Sequence, residues 1–126
     1  KIDHGLVILL GVQKDDSEID ADFLVNKISG LRIFKDENDK MNLSIKDVTG
    51  SALVISQFTL CGDTKKGRRP SFINAAPPEV GNRLYEYFLS ELGKTGVSVQ
   101  SGEFGAMMAV ELVNDGPVTF VLNSKD

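Results

Sequence analysis

The chain has 126 residues and a mass of 13.7 kDa, so we expect a single domain over residues 1–126. Hydrophobic residues make up 41% and charged residues 25% of the chain, which excludes a disordered, collagen-like or disulfide-rich protein. The longest uninterrupted apolar run, Leu6 to Leu10, is too short to span a membrane. The single cysteine, Cys61, has no internal partner for a disulfide, which favours a reducing, cytoplasmic location.

Positive charge is concentrated at one place in an otherwise acidic chain. The net charge is −4, which argues against general binding to nucleic acid. Four cations nevertheless lie close together in residues 65–69, which we call the basic loop: Lys65, Lys66, Arg68 and Arg69. This pattern is compatible with a loop that contacts phosphate groups at one place, although charge runs in general are more often solvated surface loops.

The first half of the chain alternates between strand-like and helix-like patterns. The apolar run 5–12 predicts a buried strand, and apolar residues at helical spacing predict a helix over residues 18–29 after the N-cap Ser17. A short strand over 31–34 and the polar turn 35–40 predict a hairpin that returns through Leu43 and Ile45. A β-branched and aromatic stretch predicts another strand over residues 52–60.

The second half begins with an irregular, glycine-rich region and ends in strand-like segments. Pro77 and Pro78 are expected to open a helix that ends at Gly93. Further strands are predicted to start at Val97 and to cover residues 105–113 and 118–122. This order predicts an α+β fold, a curled and barrel-like sheet of mostly antiparallel strands with two helices packed on it.

Most residue patterns that are typical of catalytic sites are absent from the sequence. A Ser-His-Asp arrangement would require the only histidine, His4, to reach Ser56. One histidine and one cysteine cannot supply the ligands of a zinc site, and no phosphate-binding glycine motif is present. The acidic residues of the turn 35–40 could hold a cation, but we favour a role in the hairpin turn itself.

Two segments are unusual for their context. Residues 56–60 (SQFTL) place three polar side chains on a strand that otherwise belongs in the core. Either the strand is half-exposed with alternating polarity, or these side chains need partners or a ligand. The pair Gly116-Pro117 interrupts a strand-like run, and proline there requires a bulge, a sheet edge, a cis peptide bond or a simple turn.

Four motifs together resemble the D-aminoacyl-tRNA deacylases, enzymes that edit mischarged tRNA. They are SQFTL at 56–60, KKGRRPSF at 65–72, FGAMM at 104–108 and NDGPVT at 114–119. The similarity extends to LVILLGV at 6–12 and LRIF at 31–34, so it covers nearly the whole chain. Family members begin with a further N-terminal strand, which this sequence is expected to lack.

The resemblance implies a homodimer with an active site at each subunit interface and with no metal or cofactor. Ser56, Gln57, Phe58 and Thr59 would line the pocket for the terminal adenosine and the aminoacyl group. Gly116-Pro117 would be a cis peptide inserted into the partner's pocket, where it rejects L-amino acids. The wall against the adenine would be formed by Phe104, Gly105, Ala106 and Met107, and the basic loop would hold tRNA phosphates.

The expected activity is hydrolysis of the ester in D-aminoacyl-tRNAs and in glycine mischarged on tRNA(Ala). The neighbouring ribose hydroxyl would assist, so the protein would supply positioning and backbone N–H groups, with those of Phe58 and Thr59 as the candidates. Two alternatives remain open at this point. One is a hydrolase of small esters that uses Thr59 or Ser56 as nucleophile, and the other is a non-enzymatic module that binds nucleic acid or a small ligand.

Overall fold

Two sheets and two helices form the structure, a computed structural model that describes all of residues 1–126. In chain order the elements are β1 (Gly5–Leu10), α1 (Glu18–Gly30), β2 (Phe34–Lys35), β3 (Met41–Leu43), β4 (Ser51–Ser56), a 3₁₀ turn (Phe58–Cys61), α2 (Pro78–Lys94) and β5 (Ser98–Ser101). The main sheet has the strand order β1-β4-β5, and both of its strand pairs are parallel. Strands β2 and β3 form a separate antiparallel pair.

Both helices arise from local signals that the sequence makes visible. The backbone N–H of Ser17 donates to the Asp20 carboxylate at 2.8 Å, which ties down the first turn of α1. Helix α2 begins at Pro78, where a missing N–H costs nothing because the first turn has no acceptor for it. The buried residues of α2 recur at helical spacing and form its inner face: Gly81, Leu84, Tyr85, Phe88 and Leu92.

Strand β4 is the centre of the molecule because it pairs on both edges and has one face in the core. Ala52 and Val54 are fully buried in the cluster that includes residues of both helices. The Tyr85 hydroxyl of α2 donates to the Val54 carbonyl at 2.8 Å, so a buried polar group finds a partner. Leu53 and Ile55 point to the opposite face, since successive side chains of a strand alternate.

The two helices and the central strand confirm the predicted α+β class. The prediction of a barrel-like sheet of mostly antiparallel strands was wrong. The main sheet is open, and it is parallel because both of its connections, from β1 to β4 and from β4 to β5, run back across the sheet through a helix. The strand predicted over 52–60 ends at Ser56, where the chain turns into the 3₁₀ segment. The strand predicted over 31–34 is reduced to the pair Phe34–Lys35.

The strands predicted over 105–113 and 118–122 are also absent. Residues 107–122 make no backbone–backbone hydrogen bond, so they form no ladder with any other part of the chain. Alternating apolar residues favour an extended backbone, but a strand also needs a neighbouring strand to pair with.

Neither helix is both long enough and apolar enough to cross a membrane.

Candidate active site

The SQFTL motif lies at the carboxyl end of the central strand. Ser56 is the last residue of β4, opposite Leu10 of β1, and the Gln57 N–H donates to the Leu10 carbonyl at 2.8 Å. The chain then tightens into the 3₁₀ turn, in which Leu60 N–H donates to the Gln57 carbonyl at 3.2 Å. The first N–H groups of such a turn have no acceptor within it, so those of Phe58 and Thr59 are available to bind an oxyanion.

Glycine at position 11 allows this turn to pack against the end of β1. A Cβ atom at Gly11 would approach Leu60 Cβ to 3.1 Å, the Gln57 carbonyl oxygen to 3.2 Å and Cys61 Sγ to 3.3 Å. These distances are shorter than ordinary van der Waals contact, so any side chain at Gly11 would push the turn away. This role was not predicted, although a glycine directly after an apolar strand was a signal for close backbone approach.

Hydrogen bonding around Thr59 does not provide a general base. The Thr59 hydroxyl oxygen accepts from the side-chain amide of Gln57, and an amide nitrogen cannot take up a proton. Activation of a threonine nucleophile requires an adjacent base, so this arrangement favours a positioning role for Thr59.

The single histidine lies at the other end of the main sheet. The His4 carbonyl accepts the N–H of Ser51, the first residue of β4, at 3.0 Å, and its ring packs edge-on against Phe34 at 5.4 Å. Ser51 and Ser56 are separated by about 16 Å at ~3.3 Å per strand residue. His4 therefore cannot form the Ser-His pair that a Ser56 nucleophile would need.

The buried cysteine is no better suited to nucleophilic chemistry. Burial, together with the nearby negative charge of Asp16, raises the pKa of the Cys61 thiol above its usual value. The Sγ atom lies 3.5 Å from the Val12 carbonyl oxygen and donates its proton there. A neutral, buried thiol is a weak nucleophile, so the site lacks a reactive sulfur.

The acidic turn 35–40 is explained by its own backbone. Asp36 Oδ1 accepts the N–H groups of Asn38 at 2.8 Å and Lys40 at 3.1 Å. These bonds lower the pKa of Asp36, first through Lys40 and then through Asn38. The side chain closes the turn between β2 and β3, as the hairpin interpretation predicts.

The base of the basic loop lies next to the SQFTL turn. Asp63 and Ser71 exchange two backbone hydrogen bonds of 2.7 and 2.9 Å, which close the loop at its base. Directly after Ser71, the Phe72 ring packs edge-on against the Phe58 ring, with 5.1 Å between the ring centroids. All four cations of the loop are exposed, so the structure places a patch of positive charge beside residues 58–61.

The FGAMM motif lies against α2 and the outer face of the sheet. The Phe104 ring packs on the Tyr85 ring at 6.0 Å, and Met107 is fully exposed. Met108 lines a cavity of about 160 Å³ together with Leu53 and Ile55 of β4. Because Ile55 directly precedes Ser56, the FGAMM motif lies along the same strand that leads into SQFTL. Gly105 and Ala106 form an exposed turn between Phe104 and Met107.

The NDGPVT motif forms an exposed loop that is closed by its own side chains. The Asn114 amide donates to the Thr119 hydroxyl at 2.8 Å, and the Val118 N–H donates to Asn114 Oδ1 at 3.1 Å. Gly116 has a φ of 128°, a conformation that favours glycine, and its peptide bond to Pro117 is cis. Both residues are exposed at the tip of the loop.

The structure thus brings together some of the predicted site residues within one chain. Ser56 to Thr59 form a turn, the basic loop projects beside it, and FGAMM adjoins the same strand. The hydrogen bonds of the NDGPVT loop are internal or to its own ends, and none joins it to the SQFTL turn. Phe72 and Tyr85 anchor these motifs through ring contacts that were not predicted, although Phe72 lies within the KKGRRPSF motif.

The chain matches a known protein family over almost its entire length. Residues 1–123 match the family described as D-Tyr-tRNA(Tyr) deacylase. A D-aminoacyl-tRNA deacylase of Koribacter versatilis is 58% identical over 98% of this chain and 83% of the relative's length. One of Clostridioides difficile is 57% identical over the same shares of the two chains.

Two solved structures resemble the fold of this chain at lower sequence identity. The structure described as c-Myc DNA Unwinding Element Binding Protein is 39% identical, with a TM-score of 0.86 over 93% of this chain and 80% of that chain. A probable eukaryotic D-amino acid tRNA deacylase is 19% identical, with a TM-score of 0.64 over 81% of this chain and 75% of that chain. The second likeness concerns the fold alone.

Proposed function

Because the chain belongs to the D-Tyr-tRNA(Tyr) deacylase family, we propose that it hydrolyses the ester of D-aminoacyl-tRNAs and releases free tRNA and a D-amino acid. The observation that carries this proposal is the match of residues 1–123 to the family, supported by relatives at 57 and 58% identity that bear the deacylase name. Glycine mischarged on tRNA(Ala) is a further expected substrate, because an achiral amino acid cannot be rejected by chirality. We expect this activity in the cytoplasm, where aminoacyl-tRNAs are used.

In the proposed reaction, water attacks the ester carbonyl while backbone N–H groups of Phe58 and Thr59 stabilise the oxyanion. Loss of one such donor typically costs ~3–4 kcal/mol of transition-state stabilisation. The ribose hydroxyl beside the ester assists the attack, since the Thr59 hydroxyl is bonded to an amide and His4 lies at the far end of the sheet. The protein's contribution is to hold the ester in place.

Selection against L-amino acids is assigned to Gly116 and Pro117 from a second copy of the chain. Their loop is closed at its base by Asn114 and Thr119, which leaves the two residues exposed at the tip. Contact between this tip and the substrate's α-carbon would leave room for a D side chain and obstruct an L side chain. FGAMM would then form the adjoining wall against the adenine.

The proposed homodimer would also cover apolar surface that a single chain leaves exposed. Met107, Val113 and Val121 are 100, 93 and 94% exposed, and Leu9 on the outer face of β1 is 47% exposed. Exposure of this extent along one segment is typical of a protein interface. Sedimentation equilibrium at micromolar concentration should therefore give about twice the 13.7 kDa of one chain; a fully active monomer would contradict the shared site.

The basic loop would bind tRNA phosphates near the acceptor end. Its four cations are exposed next to the SQFTL turn, and phosphate contacts fix register without reading bases. This arrangement would position the ester at the turn without requiring one tRNA sequence.

Hydrolysis of three substrates tests the proposed function against its rivals. We expect rapid cleavage of D-Tyr-tRNA, with L-Tyr-tRNA and a plain tyrosine ester left intact. A hydrolase of small esters would cleave the plain ester, and a binding module would retain all RNAs and cleave none. D-Tyr-tRNA whose terminal ribose lacks the assisting hydroxyl should react far more slowly if the RNA takes part.

Variants of two threonines sharpen this test. Thr59→Ala should retain measurable turnover if Thr59 only positions the substrate, whereas replacement of a nucleophile would abolish turnover. Thr49→Ala is the matched control, because Thr49 is exposed in the turn before β4, at the opposite end of that strand. Complete inactivity of Thr59→Ala in a folded protein would favour the nucleophilic mechanism.

A further inference from the structure

A cluster of charged side chains ties the end of the chain to the start of helix α1. Lys125 Nζ lies 2.7 Å from Asp20 Oδ1 and 3.6 Å from Asp16 Oδ1. The Ser124 hydroxyl donates to the same Asp20 oxygen at 2.8 Å. We call these four residues the C-terminal clamp.

Both carboxylates of the clamp are themselves fixed by backbone groups. The second oxygen of Asp16 accepts the Gln13 N–H at 2.8 Å, and that of Asp20 accepts the Ser17 N–H at 2.8 Å. The two carboxylate side chains are only 13 and 15% exposed. Lys125 therefore binds to a preformed pair of anions rather than to two mobile surface side chains.

The clamp is the main polar anchor of a long segment. Between residues 107–126 and the rest of the chain, every hydrogen bond and ion pair is made by Ser124 or Lys125. The apolar anchors are Met108 near the start of this segment and Leu122, which packs against the core near its end. The Gly116-Pro117 tip lies between them.

We propose that Lys125 is a positioning residue that, through Asp16 and Asp20, holds the Gly116-Pro117 loop in the orientation required for chiral selection. Leu122 lies between Pro117 and Lys125, so release of the clamp would leave its packing on the core as the anchor on that side of the tip and would let the loop tilt about it. The SQFTL turn belongs to the main sheet and would not move. The role in selection rests on the proposed function; the anchoring does not.

Lys125→Gln tests the proposal because it removes the charge and leaves both aspartates in their helix contacts. Lys125→Arg should restore the ion pairs. Lys94→Gln is the matched control, since Lys94 is also exposed and pairs with Glu91 at 3.3 Å on α2, away from the segment. Asp20 is left unchanged because its second oxygen holds the first turn of α1.

The first measurement is backbone ¹⁵N relaxation, which does not depend on activity. We expect order parameters of residues 118–122 to fall from ordered values towards ~0.6 or below in Lys125→Gln, and to stay unchanged in Lys94→Gln and Lys125→Arg. The second measurement is the ratio of D-Tyr-tRNA to L-Tyr-tRNA hydrolysis, which we expect to fall about tenfold in Lys125→Gln alone.

Unchanged order parameters in Lys125→Gln would overturn the clamp. Increased mobility with an unchanged D to L ratio would overturn its role in selection. If the wild-type chain hydrolyses neither substrate, the proposed function and the selection role fail together, while the relaxation data still decide the anchoring role of Lys125.

Discussion

The two stretches assigned to one pocket are held in different ways. The SQFTL turn follows the central strand of the sheet, is fixed by a hydrogen bond to Leu10 and lies between the buried residues Ile55 and Cys61. Residues 107–122 have no ladder bond and expose most of their apolar side chains. A single chain thus builds the proposed oxyanion side of the site by itself, while the proposed selecting side depends on a few anchors and on the partner that we propose.

The largest expected difference between the two regions is in stability. Phe88→Ala should lower the free energy of unfolding by ~3–5 kcal/mol, because Phe88 is fully buried and the substitution leaves a cavity. Phe120→Ala is the same change at a residue that is 53% exposed, and at concentrations where the chain is monomeric it should cost less than ~1 kcal/mol. Urea unfolding of both variants measures the two values; equal costs would mean that the 107–122 segment is packed like the core.

The second prediction concerns the close packing of the SQFTL turn. Gly11→Ala should lower kcat for D-Tyr-tRNA severalfold, because a Cβ atom there displaces the turn by a few tenths of an ångström and misplacement of about 1 Å can cost about 10²-fold. Gly93→Ala is the control, since nothing lies within 4 Å of a Cβ atom at that helical position. It should leave kcat unchanged and stabilise α2 by ~0.5–1 kcal/mol. Full activity of Gly11→Ala would place the reaction elsewhere.

The third prediction separates binding by the basic loop from selection by the 107–122 segment. Replacing Arg68 and Arg69 with glutamate should weaken tRNA binding and flatten the plot of log affinity against log salt by ~0.7–0.9 for each phosphate that is no longer bound. The D to L ratio should stay the same, because the loop lies beside the SQFTL turn. An unchanged salt slope would assign the loop to the fold or to the dimer instead.

The chemistry of the phosphate backbone suggests one further arm for this experiment. Single-stranded DNA carries the same phosphate charge as RNA, so it should be included as a competitor. If the loop only binds phosphates, DNA should compete with tRNA in wild type and much less in the double variant. Competition that survives the charge reversal would mean that DNA binds at another surface.

The same contrast explains which parts of the molecule the sequence could predict. Both helices follow from apolar spacing and from the local signals at Ser17 and Pro78, each of which lies within a few residues of the helix that it starts. Strand direction depends on partners far along the chain, so neither the parallel sheet nor the missing ladder of residues 107–122 was visible. Motifs identified the SQFTL residues, but the packing of Gly11 against Leu60 joins residues distant in sequence and only the folded chain reveals it.

The smallest expected effect is electrostatic and tests the C-terminal clamp by pH. The hydrogen bond from Lys125 is the largest cause that lowers the pKa of Asp20 from 3.8 to about 2, followed by the bond from the Ser17 backbone. Asp16 and the Ser124 hydroxyl also face this carboxylate. Carbon-detected NMR titration should find the Asp20 pKa near 2 in wild type and closer to 3.8 in Lys125→Gln.

The sign of the linked stability change follows from the lowered pKa. A carboxyl group that is more acidic in the folded state stabilises it above the unfolded pKa, and the contribution is lost as pH falls through the folded value. The wild-type chain should therefore exceed Lys125→Gln in unfolding free energy by a constant amount above about pH 5, and the difference should shrink towards zero between about pH 4 and pH 2. Solvent screening of the exposed lysine keeps this difference in unfolding free energy small. A difference that grows on acidification would mean that Lys125 does not interact with the Asp20 carboxylate.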